Sequence, residues 1–135
     1  KDLRKRLTKK KPKNTYLKLI EGSSIDNKII DKVKSIIKGK KVFVILDSNH
    51  THDHVLKELT EYSKFVKKGQ YLICGDTIIA KQPQSKKRPR EWNKNNNPMT
   101  ALKVFLRKDK KFVIDKKIES KLLFTNMPNG FLKRI

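Results

Sequence analysis

The residues that most constrain this chain are Val42-Phe43-Val44-Ile45-Leu46, five consecutive apolar side chains closed by Asp47. Side chains alternate across a strand, so an uninterrupted apolar run of this length needs cover on both faces. It fits a strand inside a layered α/β sheet better than the half-wet strand of an antiparallel sandwich. The pattern recurs at Tyr71-Leu72-Ile73-Cys74, which is again short and apolar and is followed by the carboxylate of Asp76. An earlier run, Tyr16 to Ile20, suits a first strand. Glu21-Gly22-Ser23-Ser24 then turns the chain, with Gly22 free to take a positive φ.

Between these runs the period changes. Ile29, Ile30, Val33, Ile36 and Ile37 recur at helical spacing from about Asp26 to Lys38, with Asp26 as the N-cap and Gly39 as the stop. A second helix is expected from about His52 to Val66, turning Val55, Leu59, Tyr62 and Val66 inward. Asn97-Pro98 announces a third, with Asn at the cap, Pro in the first turn, and Leu102, Phe105 and Leu106 facing in. Phe112–Ile114 and Leu122–Phe124 read as two closing strands, and Met127–Gly130 as a turn before Phe131–Ile135. Lys1 to Lys13, with eight basic residues, reads as a solvated helix or loop. The order β-α-β-α-β-loop-α-β-β predicts an α/β fold, its sheet mostly parallel with one antiparallel strand and helices on both faces.

In such sheets ligands gather beyond the carboxyl ends of the strands. Asp47 and Asp76 close consecutive strands there, where two carboxylates could share a divalent cation such as Mg²⁺, with Thr77 or Asn49 adding a neutral oxygen. The plainer reading is that an Asp after a strand caps the next helix. His50, His52 and His54 are all the histidines of the chain. Their alternation suggests zinc, but only His50 and His54 share a helical face and nothing completes a tetrahedral set. His50, three residues after Asp47, is better suited to act as a general base near the cation, and the other two read as polar residues at a helix start.

Lys81 to Asn97 has no apolar periodicity and holds four Asn, six basic residues and the lone Trp92. Its length marks a functional lid or insertion loop. Trp92 either covers the apolar floor of the domain or stacks on a ligand ring.

The net charge is +22 over 135 residues. That invites a nucleic-acid partner. Yet 29 of the 35 basic residues are Lys and only six are Arg, the residue favoured for bidentate phosphate contacts. The charge therefore reads chiefly as solvated surface Lys, with a basic nucleic-acid-binding module on a degraded Rossmann-like fold as the alternative. No apolar run approaches the ~20 residues of a membrane span. No leader is visible and Cys74 has no partner for a disulfide, so a cytoplasmic location without a membrane span is expected.

Ile20–Ile25, Val44–Leu56, Asp76–Ile79, Asn97-Pro98 and Gly130–Arg134 resemble the cephalosporin hydroxylase family from about Tyr16 onward. That family is similar to class I S-adenosylmethionine-dependent O-methyltransferases and includes rhamnosyl O-methyltransferases. The resemblance implies a Rossmann-like fold and Mg²⁺-assisted methyl transfer to the hydroxyl of a sugar or small molecule. It implies that Ser23, Ser24 and Asp47 lie against the cofactor, Ser23 and Ser24 near its adenine. Asp47 and Asp76 would hold Mg²⁺ with Thr77 beside them, and His50 would be the base. Thr77 stands where catechol-type relatives often place Asn, Gly75 where some carry an extra acid, and His50 where catechol-type enzymes place Lys. A homo-oligomer is expected. The chain has five glycines and no G-x-G cluster. Residues 1–135 therefore resemble the C-terminal portion of a single methyltransferase domain, expected to bind the cofactor poorly and to be inactive alone.

Overall fold

The computed structural model describes residues 2–84 and 87–135. The basic N-terminal stretch forms helix α1 (Asp2–Lys10). Tyr16 to Ile20, expected as a strand, has no regular structure, and Tyr16 is 80% exposed. A short run interrupted by Lys18 forms a strand only where a neighbour takes its backbone hydrogen bonds, and no strand of the sheet pairs with it. Helix α2 (Asn27–Ile37) starts as its sequence predicts, with the Asp26 carboxylate accepting from the Lys28 amide at 2.8 Å.

The sheet has four strands in the order β1-β2-β4-β3. Strand β1 (Val44–Leu46) lies parallel to β2 (Tyr71–Cys74), with Leu46 opposite Cys74. Strand β4 (Phe131–Arg134) runs antiparallel to both its neighbours, β2 and β3 (Phe112–Ile114). Three strands thus share one direction and β4 opposes them. The antiparallel partner is the C-terminal run and not Leu122–Phe124, which is irregular and exposed, Leu123 fully so. That segment leaves the short helix α5 (Lys116–Glu119) in turn hydrogen bonds. Leu132 is instead fully buried, between Leu72 and Ile114.

One face of the sheet carries Leu46, Leu72, Cys74, Leu132 and Phe112, which pack on Val55 and Leu59 of α3 (His52–Tyr62) and on Ala101, Leu102 and Phe105 of α4 (Pro98–Lys108). These helices form the layer that holds the strand ends in place, each buried Leu or Phe contributing about 1.5–3 kcal/mol. On the other face Ile73 is buried, whereas Ile45 and Val113 at the margins are 55% and 41% exposed. Asp76 leads into a 3₁₀ turn, Thr77–Lys81. Among the described residues no helix is long and apolar enough to cross a membrane.

Candidate active site

Because β1 and β2 are adjacent and parallel, the chain leaves both at the same edge of the sheet. Asp47 follows β1 directly and Asp76 follows β2 by two residues. After Asp47 the side chain of Asn49 accepts from the backbone amide and the hydroxyl of Thr51, both at 2.8 Å. This turn swings the chain into α3 and brings His50 over the carboxylates. Its Nε2 lies 3.6 Å from Asp47 Oδ1 and 2.9 Å from Asp76 Oδ2. One ligand atom from each of the three residues falls within 4.8 Å of the others.

The 2.9 Å approach is a contact and not a hydrogen bond: it is out of line with the ring N–H, and both His50 nitrogens are buried without a hydrogen-bond partner. Two carboxylates and an unpartnered imidazole so crowded fit a cation between them. The oxygens of Asp47 and Asp76 suit Mg²⁺, for which a nitrogen is the poorer ligand.

Two backbone features hold this geometry. Asp76 sits in the left-handed region at φ 47°, ψ 30°, an uncommon conformation that Asp tolerates better than most residues. Asn126 Nδ2 donates to its Oδ1 at 2.7 Å. Gly75 lets β2 approach β1, since a Cβ there would lie 2.7 Å from the Leu46 carbonyl and 3.1 Å from Asp47 Oδ1. Gly75 donates to that same carbonyl at 2.8 Å. An acid at this position has no room in this arrangement.

Thr77 is not gathered with the carboxylates. It is buried, and its hydroxyl donates to the Pro128 carbonyl at 2.7 Å. The neutral group beside Asp76 is Asn126, 50 positions away, which the sequence analysis does not single out.

Residues 82–84 and 87–97 form a wall over His50. The Trp92 ring meets the His50 ring edge-on, 4.7 Å between centroids, and the Arg90 guanidinium lies 5.0 Å from the Trp92 centroid. The Asn-rich end of the loop is a hydrogen-bonded knot. Asn97 Nδ2 donates to the carbonyls of Asn93 and Lys94, at 2.8 and 2.7 Å. Asn96 Nδ2 donates to Glu91 O, and Asn96 Oδ1 accepts from the amide of His52 at 2.6 Å, capping α3 from outside it. A cavity of about 350 Å³ opens between this wall and Asp76, lined among others by His50, Ile79, Arg88, Arg90 and Trp92. Lys86, part of the basic stretch around Trp92, lies outside the described residues.

The three histidines have three different partners. His52 Nδ1 meets Thr100 Oγ1 at 2.8 Å and joins α3 to α4. His54 Nε2 lies 3.0 Å from Ser24 Oγ, 3.2 Å from Ser48 Oγ and 3.7 Å from Glu58 Oε1. Ser48 donates to Glu58 Oε1 at 2.7 Å, and Tyr62 donates to the backbone carbonyl of Ser24 at 2.9 Å. Burial, reinforced by the charge of Glu58, holds the Tyr62 hydroxyl above its ordinary pKa. This cluster fastens the turn carrying Ser24 to the end of β1, and Ser23 stays exposed at its rim. Sequence reasoning missed Glu58, a charged residue on the buried face of an otherwise amphipathic helix and 2% exposed. Cys74 is fully buried and its thiol is pushed up to about 12, chiefly by burial, so it is no nucleophile.

The family model that matches the chain, over residues 1–135, is described as rhamnosyl O-methyltransferase/CmcI. Proteins named rhamnosyl O-methyltransferase from Mycobacterium bovis (strain BCG / Pasteur 1173P2) and Mycobacterium tuberculosis (strain ATCC 25618 / H37Rv) are each 31% identical to it over 119 residues. Those matches cover 85% of this chain and 46% of each relative, so the chain spans about half the length of the curated relatives it matches. No solved structure matches it. With a match across its whole length, the chain belongs to the rhamnosyl O-methyltransferase/CmcI family.

Proposed function

We propose that this chain supplies the metal-binding and acceptor-binding part of an S-adenosylmethionine-dependent O-methyltransferase acting on a sugar hydroxyl. In this reading it is the C-terminal portion of a Rossmann-like domain. The observation that carries the reading is the convergence of Asp47, His50 and Asp76 at the carboxyl ends of adjacent parallel strands, beside a cavity. Family membership supplies the reaction class, and the names of the mycobacterial relatives supply the rhamnosyl acceptor.

Methyl transfer from a sulfonium to a hydroxyl forms an O–C bond, breaks an S–C bond and releases the hydroxyl proton. Asp47 and Asp76 would hold Mg²⁺, which when bound orients the acceptor and lowers the pKa of its hydroxyl. His50 is the base. Nε2 lies 2.9 Å from Asp76 Oδ2, so an imidazolium formed by taking the proton is stabilised by the neighbouring carboxylates. Trp92 and the loop knot wall the cavity and limit water beside the reacting oxygen. Ser24, held through Ser48 and His54, presents the turn assigned to the cofactor's adenine.

The site is tested by cation binding. Mn²⁺ added to the chain and followed by electron paramagnetic resonance is expected to bind at one site. Asp47→Asn and Asp76→Asn each weaken it by about tenfold or more, as loss of one charged ligand implies. Binding that is indifferent to both substitutions overturns the metal assignment. The activity is tested by putting this chain in place of the matched region of the M. tuberculosis relative. Transfer of labelled methyl to a rhamnoside, lost on Asp47→Ala, is the expected result.

A further inference from the structure

The cavity beside His50 has a wall chemistry unlike the rest of the surface. The chain holds 29 Lys and only six Arg. Among the described residues, two of those six Arg, Arg88 and Arg90, line this cavity, and no Lys does. Scattered surface charge in so Lys-rich a chain would place Lys here first. Neither guanidinium has a salt-bridge partner among the described residues. Their planar donor forks are therefore free for a ligand's oxygens. The Arg90 guanidinium lies over the Trp92 ring, 5.0 Å from its centroid.

Among the described residues Asp76 is the single carboxylate lining the cavity, with Asn126 and His50 against it. Contacts link Arg90 to Trp92 and Trp92 to His50, so a basic group, an aromatic ring and the base follow one another along a lining that also holds Ile78 and Ile79. Amides of Gln82, Gln84 and Asn93 lie along it. A ring with hydroxyls at one end and a negative group at the other fits this sequence of surfaces.

We propose that the acceptor is an anionic glycoside, its carboxylate or phosphate bound by Arg88 and Arg90 while the hydroxyl to be methylated lies at His50. This rests on the acceptor-site reading above and adds the charge of the substrate to it. Arg88 and Arg90 are then specificity determinants, and Trp92 is the platform between them and the reacting group.

The chain contains one tryptophan, so its intrinsic emission reports on Trp92 alone. Three probes are titrated with the whole chain without divalent cation: methyl glucuronide, glucose 1-phosphate, and the neutral methyl rhamnoside. At least one anionic sugar is expected to give a saturable emission change at about tenfold lower concentration than the neutral one. The uronide and phosphate arms show which anion the fork takes. Arg88→Gln, at an exposed position, is expected to weaken the anionic sugar about tenfold and leave methyl rhamnoside unchanged. An Arg90→Lys variant keeps the charge and loses the fork, and should fall in between. Equal binding of neutral and anionic sugars overturns the proposal, as does anionic binding untouched by Arg88→Gln. Inorganic phosphate competing as well as the sugar phosphate also overturns it, because the ring would then contribute nothing. Mn²⁺ binding by Asp47 and Asp76 is read separately, so failure of the metal site and failure of the anion wall are distinguishable.

Discussion

A single methyl group on Gly75 would disturb two things at once. It would lie 2.7 Å from the Leu46 carbonyl, which is backbone and cannot swing away, and 3.1 Å from the Asp47 carboxylate. Gly75→Ala is expected to part β1 from β2, destabilise the chain by about 1–3 kcal/mol and weaken Mn²⁺ binding along with it. Urea denaturation and the paramagnetic titration check the two effects. A variant of unchanged stability and unchanged cation affinity would show that the strands do not meet as described. Residues differ in how far they can be read in advance. Asp47, His50 and Asp76 were legible because strand ends gather ligands and each follows its strand or turn within a few positions. Glu58 and Asn126 were not, because each acquires its role from a partner brought in by packing: Ser48 for one, Asp76 for the other. The bond from the Thr77 hydroxyl to the Pro128 carbonyl was illegible for the same reason.

Helix α4 shows an element whose start is written in its sequence. Asn97 and Thr100 form a reciprocal capping box, and Pro98 occupies the first turn. Asn97 is also fully buried and uses its amide hydrogens to hold Asn93 and Lys94. Loss of the cap alone costs about 0.5–2 kcal/mol. Asn97→Ala is expected to exceed that range in thermal or urea unfolding and to shift the Trp92 emission, because the wall loses its anchor. Asn97→Asp keeps the capping oxygen and removes the amide donors, so it should restore part of the stability and none of the native emission. Strands were less legible than helices. Helix α2 has its cap and its apolar period within its own residues, whereas a strand depends on neighbours. Tyr16–Ile20 and Leu122–Phe124 carry apolar side chains but have no pairing partner, while Phe131–Arg134 gains strands on both sides. The Asn-rich stretch looked featureless because its order comes from side-chain amides, which leave no period.

Taken whole, the molecule carries +22 charges, and several of its ion pairs are exposed Lys–Glu contacts within one helix or its adjoining turn, such as Lys57–Glu61, Lys64–Glu61 and Lys116–Glu119. Such pairs contribute little, and the Lys64 hydrogen bond that lowers the Glu61 pKa acts at the surface. Repulsion among the remaining cations works against the compact state. Raising NaCl from about 10 mM to about 0.5 M shortens the screening length from roughly 30 Å to under 10 Å. The expected outcome is a Tm that rises with salt, followed by circular dichroism. A falling Tm would mean that the pairs outweigh the repulsion. The external cap that Asn96 places on α3 has a consequence at this scale too. One side chain belongs to the cavity wall and also sets the first turn of the helix that follows His50, the proposed base. The wall and the base are therefore not independently variable. An insertion between Gln82 and Glu91 lengthens the wall without touching that clamp, whereas a change at Asn96 retunes both. If the cavity takes the acceptor as proposed, a changed preference should accordingly arise by exchange of the residues before Glu91, with the Asn knot kept as their fixed socket.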